Sequence, residues 1–156
     1  MEKLKSGQRI WIYFIDKVLT DSEIEVIGNR IKTFCASWFS HGKPLNADGF
    51  IFENRFIVLA VNEDVFEASG CSIDKSTIFL KEIAKEFQLD LFNKMLIPYK
   101  EADNIMFMNF ASVEENKEKL KNNGNVLFYD MTLTHSDDFE NSFLKPVKQH
   151  WINRFL

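Results

Sequence analysis

Hydrophobic positions along the chain follow two periods, one typical of strands and one typical of helices. Residues 9–16 combine aromatic and β-branched side chains at the density expected of a strand covered on both faces. Between residues 24 and 38, apolar side chains recur every three or four positions, which predicts a helix with one buried stripe. Thr20 and Glu23 have the spacing of a capping box, so this helix should begin directly after Thr20.

The same helix is expected to end near Ser40. His41 would lie in its last turn, and Gly42 would take the left-handed conformation that ends many helices. Pro44 cannot continue a helix, so the three signals agree on where it stops.

Two strand-like runs follow, at residues 49–53 and 55–62. Only Asn54 separates them, and asparagine tolerates turn conformations, so the pattern predicts a tight hairpin. The second run is almost continuously apolar from Phe56 to Val61, as is typical of a central strand.

A polar loop and a second long helix come next. Residues 63–74 carry small polar side chains, and the helical period returns over residues 75–89, with Asp74 or Ser72 as the expected N-cap. Further along, the pattern predicts a second hairpin with strands at residues 95–99 and 105–110. A weak helix over residues 112–123 and a last short strand over residues 126–129 should follow. The apolar tail, residues 137–156, is expected to pack across the domain. Pro98 lacks an N–H and should place its strand at a sheet edge.

This order of elements predicts one α+β domain over residues 1–156. The first six elements, βαββαβ, match a ferredoxin-like antiparallel sheet with helices on one face. The remaining β-α-β elements would form a C-terminal extension, followed by the packed tail.

Composition narrows the classes of function. Hydrophobic residues make up 46% of the chain and charged residues 27%, which is typical of a globular protein. The formal net charge of -4 argues against a nucleic-acid surface, because phosphate binding needs clustered Lys and Arg. No apolar run approaches the length of a bilayer span or of the apolar core of a secretion signal.

The two cysteines, Cys35 and Cys71, are too few for a disulfide framework, and no zinc-ligand spacing is present. A reduced compartment is the simpler interpretation, so we expect a cytoplasmic protein with no metal and no cofactor.

The best candidate for chemistry is the segment Ser69, Gly70, Cys71, Ser72 and Asp74, between the most apolar strand and the following helix. Free amides and the helix dipole at such a junction favour an anion, and small side chains let a ligand approach the backbone. A phosphate or carboxylate could therefore bind here. Gly, Ser and Asp are also the residues that any loop needs in order to turn and to cap a helix.

The same electrostatic field would stabilise a thiolate at Cys71, which would then be a nucleophile or a redox sensor. His41 or Asp74 could assist it as a base. Against this, a small cysteine is commonly a packing residue.

His41 and Arg55 are the next candidates. His41 could act as a base or proton donor, and Arg55 could bind a carboxylate with its planar guanidinium. The structural alternatives are helix capping for His41, and for Arg55 a surface ion pair with Glu53 or Asp64.

Residues 70–77 superficially match a phosphate-binding P-loop. That motif requires Gly, four residues, and then Gly-Lys followed by Ser or Thr. Here the second Gly is absent and the spacing is one residue short, so ATP hydrolysis is rejected.

The chain resembles a family of short bacterial proteins, mostly from Bacteroidetes, that often carry the label "ABC transporter ATPase". The resemblance spans nearly the whole chain and rests on Trp11-Ile12-Tyr13, Trp38, His41-Gly42, Pro44-Leu45, Asn54-Arg55-Phe56, Val58 to Val61, Ala68 to Asp74, Trp151 and Arg154-Phe155. It implies a bacterial cytoplasmic protein and transfers no catalytic residue, and its label fails the P-loop test.

The leading hypothesis is a non-enzymatic binding module that uses residues 69–74 for a small anion or a protein partner. We also expect a homodimer that forms through an exposed sheet surface. The rival hypothesis is an enzyme or redox sensor that uses Cys71 as a thiolate.

Overall fold

The computed structural model describes residues 4–156, which divide into two compact units. The first unit ends at Phe92 and also includes Thr134–Asp137, and the second contains Asn93–Leu133 and Asp138–Leu156. The single-domain prediction stays a prediction, since compact units of this size occur both as lobes of one domain and as separate domains. The predicted α+β class is confirmed, with helices and antiparallel sheets.

The first unit is built around a three-stranded antiparallel sheet. Its elements are β1 (Gln8–Phe14), α1 (Asp21–Ala36), β2 (Phe39–Ser40), β3 (Lys43–Pro44), β4 (Asn46–Phe52), β5 (Phe56–Asn62) and α2 (Gly70–Phe87). The strand order is β1-β5-β4, so the most apolar strand is central, as its sequence predicts. Every residue of β5 from Phe56 to Val61 is fully buried.

Helices α1 and α2 pack against one face of this sheet. Ile27 and Ile31 of α1 and Leu80 and Ile83 of α2 share one core with alternate residues of β5, including Leu59. Burial of this apolar surface holds the helices on the sheet.

The start of α1 confirms the predicted capping box. The Thr20 hydroxyl accepts a hydrogen bond from the Glu23 amide at 3.1 Å. The Glu23 carboxylate accepts one from the Thr20 amide at 3.0 Å. Two amides that the helix itself leaves without a partner are thereby satisfied.

The end of α1 differs from the prediction. The helix stops at Ala36, and the residues expected to cap it form the short hairpin β2–β3 instead. His41 and Gly42 are the two turn residues, with φ values of 51° and 77°. Positive φ at both central positions is typical of the tight turns that join antiparallel strands.

The ferredoxin-like topology is not confirmed, because the strand order differs. In that fold the strand after the second helix pairs with the first strand. Here that strand joins a different sheet, and the outer edge of β1 is covered by Thr134 and His135. The Ile10 amide donates to the Thr134 carbonyl at 2.9 Å.

The second unit contains a four-stranded antiparallel sheet. Its elements are β6 (Leu96–Glu101), β7 (Asn104–Asn109), α3 (Lys117–Asn122), β8 (Val126–Tyr129), α4 (Ser136–Ser142, whose first two residues belong to the first unit) and β9 (Leu144–Pro146), in the strand order β7-β6-β8-β9. The second hairpin and the β-α-β extension predicted from the sequence are therefore present. The edge position predicted from Pro98 is wrong, because β6 lies between β7 and β8. The sheet tolerates Pro98 there because β8 pairs only with Tyr99–Glu101, beyond the missing N–H.

The apolar tail packs within the second unit. Phe143 and Ile152 are buried, whereas Phe155 remains 43% exposed. His150 is also buried, and its Nδ1 accepts a hydrogen bond from the Ile152 amide at 3.1 Å. The proton therefore lies on Nε2, which is 3.1 Å from the Tyr129 carbonyl. Burial lowers the pKa of His150, in agreement with a neutral structural imidazole.

In residues 4–156, no helix has both the length and the hydropathy that crossing a membrane requires.

Candidate functional site

The segment predicted as a ligand loop is the first turn of α2. The helix begins at Gly70 rather than at residue 75, and Ser69 is its N-cap, so the predicted caps Asp74 and Ser72 are wrong. Ser69 has an extended backbone, and its hydroxyl accepts from the Ser72 amide at 3.1 Å. This cap offsets the low helix propensity of the small residues that follow it.

Hairpin β2–β3 and the residue directly before it hold the start of α2 through two side-chain contacts. The Ser40 hydroxyl accepts a hydrogen bond from the Ser69 amide at 3.2 Å. The Trp38 indole N–H donates to the Ser72 carbonyl at 2.8 Å. Ser40 directly precedes His41, so the exposed turn that contains His41 is part of the same hairpin that contacts the start of α2.

Two backbone amides at this helix start are available to a ligand. In the part of the chain that the structure describes, no group accepts a hydrogen bond from the amides of Gly70 and Cys71. Both residues are exposed, and the first turn of α2 carries no acidic side chain. The dipole of an 18-residue helix and two free N–H groups favour a negative charge here.

Ser72 and Asp74 do not belong to this surface. Ser72 is 1% exposed, its amide is capped, and its hydroxyl donates to the Ser69 carbonyl at 2.8 Å. Asp74 is exposed one turn further along, where its carboxylate would repel an anion rather than bind it.

Arg55 lies at the opposite end of β5 from the start of α2. It precedes β5, while the connection to α2 leaves the far end of that strand, and seven strand residues span about 20 Å. The Arg55 side chain is buried, with Nε donating to the Ile15 carbonyl at 3.1 Å and the guanidinium 5.0 Å from the centre of the Phe14 ring. Arg55 therefore anchors the strand ends and is not a partner of Cys71.

The two cysteines occupy contrasting environments. Cys71 is exposed at the second position of α2, whereas Cys35 lies on the buried face of α1. Burial, and secondarily the nearby Asp48 charge, raises the pKa of Cys35 to about 12. Cys35 is accordingly a packing residue, and Cys71 is the accessible thiol.

The loop before α2 is held by Glu63, one of three carboxylates before this loop that the sequence also suggests as ligands of a hard cation. Its carboxylate accepts from the Ala68 amide at 2.8 Å and lies 3.7 Å from the Arg9 guanidinium. Between residues 4 and 156, no cluster of His, Cys, Asp and Glu has the arrangement of a metal site.

Comparisons with protein-family models, with curated proteins and with solved structures find no match. The resemblance to the bacterial family stays a prediction, and the site is defined by its geometry alone.

A second polar cluster lies in the second unit, around Asp130. Its carboxylate accepts from the Thr132 amide at 2.9 Å and from the Lys145 ammonium at 2.8 Å, and both charged side chains are at least 85% buried. Burial raises the pKa of Asp130, but the bonds from Lys145 and Thr132 together lower it by more, leaving it below its ordinary value. Every carboxylate partner is internal, so this cluster is structural.

Proposed function

We propose that this protein is a binding module that holds a small anion, a phosphate or a carboxylate, at the first turn of α2. The observation that carries the proposal is that the amides of the exposed residues Gly70 and Cys71 have no acceptor within residues 4–156. An anion there would accept two charge-assisted hydrogen bonds and would interact with the positive end of the helix dipole.

The site is held in place before any ligand arrives. Ser69 is bound through its amide to Ser40 and through its hydroxyl to Ser72, so the orientation of the neighbouring amides is set by the fold. A preformed site loses little conformational entropy on binding.

Replacing Gly70 by proline should weaken anion binding and leave the fold intact. Proline removes the Gly70 N–H but suits the first position of a helix, and the extended Ser69 backbone is the conformation that proline requires before it. A Cβ at position 70 would meet no atom within 4 Å. We expect Gly70→Pro to weaken inorganic phosphate binding about tenfold, as measured by calorimetric titration, because one charge-assisted bond is lost.

Gly70→Ala is the matched control, since it keeps the N–H. It should bind phosphate like the parent, and both variants should melt at or above the parent temperature. Equal phosphate affinity in the proline and alanine variants would refute the proposed site.

Exposure of Cys71 supports a second candidate function, a reactive thiolate that serves an enzyme or a redox sensor. The helix dipole favours a thiolate at Cys71. Asp74 opposes it, because this exposed carboxylate lies three residues further along the helix and repels a negative charge on Cys71. The anion-binding proposal therefore comes first.

The rate of alkylation against pH tests this second candidate. A catalytic thiolate should keep reacting with iodoacetamide below about pH 7, whereas an ordinary thiol slows in proportion to its thiolate fraction. Cys35 provides the internal control and should stay unmodified in the folded protein because it is buried. Loss of Cys71 reactivity below about pH 8 would exclude the enzyme and sensor hypotheses.

The expected homodimer, cytoplasmic location and bacterial source stay predictions.

A further inference from the structure

Strand β4 forms one edge of the three-stranded sheet. It pairs with β5 on one side, and within residues 4–156 no strand pairs with its other side. The opposite edge of the same sheet is covered, since Thr134 accepts from the Ile10 amide. An uncovered edge presents backbone donors and acceptors to another chain.

The direction of these backbone groups follows from the ladder. The Gly49 amide donates to its neighbour Asp48 at 2.8 Å, so it points away from β5. In an antiparallel pair the outward and inward residues alternate, which also turns the amide and carbonyl of Ile51 outward. The Gly49 end is blocked, because Asp48 caps that amide and forms an ion pair with Lys32 at 2.8 Å. The accessible part of the edge is therefore centred on Ile51.

A groove runs beside this part of the edge, between β4 and α1. Its volume is about 590 Å³, and it is lined by Ile24, Glu25, Gly28, Asn29 and Lys32 from α1 and by Phe50, Ile51, Phe52 and Glu53 from the end of β4. A Cβ placed on Gly28 would meet no atom within 4 Å, so the groove is open at the helix surface. The lining combines apolar side chains with charged and polar ones.

The charge at the rim indicates what the groove would accept. Lys32 is engaged by Asp48, whereas Glu25 is exposed and has no hydrogen-bond or ion-pair partner within residues 4–156. The helix stripe from Glu25 to Lys32 is about 10 Å long, which matches about three residues of extended chain. A strand with a basic side chain near Glu25 would complement this surface.

We propose that the groove binds an extended, cationic peptide segment, which adds as a short strand to β4 at Ile51. Its backbone would bond to the Ile51 amide and carbonyl, alternate side chains would enter the groove, and a lysine or arginine would pair with Glu25. This site is separate from the anion site on α2 and selects the opposite charge, so either proposal can fail without the other.

Peptides of alternating valine and lysine are a direct probe. We expect a fluorescein-labelled Val-Lys-Val-Lys-Val peptide with blocked ends to bind, with amide NMR shifts centred on Ile51 and Gly28. A Val-Glu-Val-Glu-Val peptide should bind at least tenfold more weakly, because its glutamates and Glu25 carry the same charge and repel each other. Backbone N-methylation of the lysine peptide should cause a similar loss, because it removes strand donors.

Gly28→Leu should weaken lysine-peptide binding at least tenfold by filling the groove. Gly124→Leu is the matched control, since a Cβ there also meets no atom within 4 Å, and it should leave binding unchanged. The proposal is overturned if the lysine peptide does not bind, if Gly28→Leu binds normally, or if shifts occur elsewhere. It is also overturned if Ile51 shifts with protein concentration alone, because the occupant is then a second copy of this chain.

Discussion

Replacing Gly49 by alanine should lower the free energy of unfolding by about 2–3 kcal/mol, because the added methyl group has no room. A Cβ at this position would lie 2.6 Å from Ile31 Cγ2, 2.9 Å from Leu59 Cδ2 and 3.1 Å from Cys35 Sγ. Ile31 is β-branched and fully buried, so its methyl group cannot rotate away without opening the interface between α1 and β4. Urea denaturation measures the loss through the transition midpoint.

Gly28→Ala is the control for this substitution. It makes the same chemical change in α1, but its Cβ meets no atom, so stability should rise by about 1 kcal/mol through helix propensity. If both alanine variants unfold at the same urea concentration as the parent, α1 and β4 are not packed closely at Gly49.

Replacing Lys145 by methionine should cost about 2–3 kcal/mol at pH 7, because the Asp130 carboxylate would stay buried without its cation. The Lys145 and Asp130 side chains are 15% and 11% exposed, so water screens them poorly. Because the pKa of Asp130 is lowered in the folded state, the pair stabilises above the ordinary value of 3.8 and loses this effect as pH falls below it. The difference between parent and variant in urea should therefore shrink below that pH.

Lys119→Met supplies the comparison within the same unit. Lys119 lies 3.2 Å from Glu101, but the two side chains are 48% and 33% exposed, so we expect a loss below about 0.5 kcal/mol. Similar losses for the two lysine variants would show that burial does not govern the Lys145 interaction.

Local patterns predicted much of the secondary structure correctly. The capping box at Thr20, the apolar stripe of α1 and the continuous run of β5 each depend on neighbouring residues, and all three are present. Such features are encoded within a few positions, where side-chain spacing and backbone preference act directly.

The end of α1 shows why one signal can support two structures. A glycine with positive φ suits both a helix C-terminus and a tight hairpin turn, so Gly42 could not distinguish them. Pairing of Phe39 with Pro44 selects the hairpin, and this depends on tertiary packing rather than on the turn residues alone.

The start of α2 was missed for a similar reason. Gly70 and Cys71 have low helix propensity, and their conformation depends on the Ser69 cap and on the contact with Ser40. That contact joins residues 29 positions apart, and no local pattern records it. The same limit explains the strand order, since the pairing of His135 with Arg9 spans most of the chain.

Sequence reasoning could not decide which of the predicted site residues share a surface. Gly70 and Cys71 are exposed, whereas Ser72 is buried and Arg55 lies at the other end of β5, a strand about 20 Å long. Residue type indicates which groups can bind an anion, but only the fold decides which of them share a surface.

The most direct test of the anion site is an NMR titration of the ¹⁵N-labelled protein with inorganic phosphate. The amide signals of Gly70 and Cys71 should move furthest, along one saturating curve, while the capped Ser72 amide moves less. Phosphate shifts that avoid the first turn of α2, or that never saturate, would contradict the proposed function.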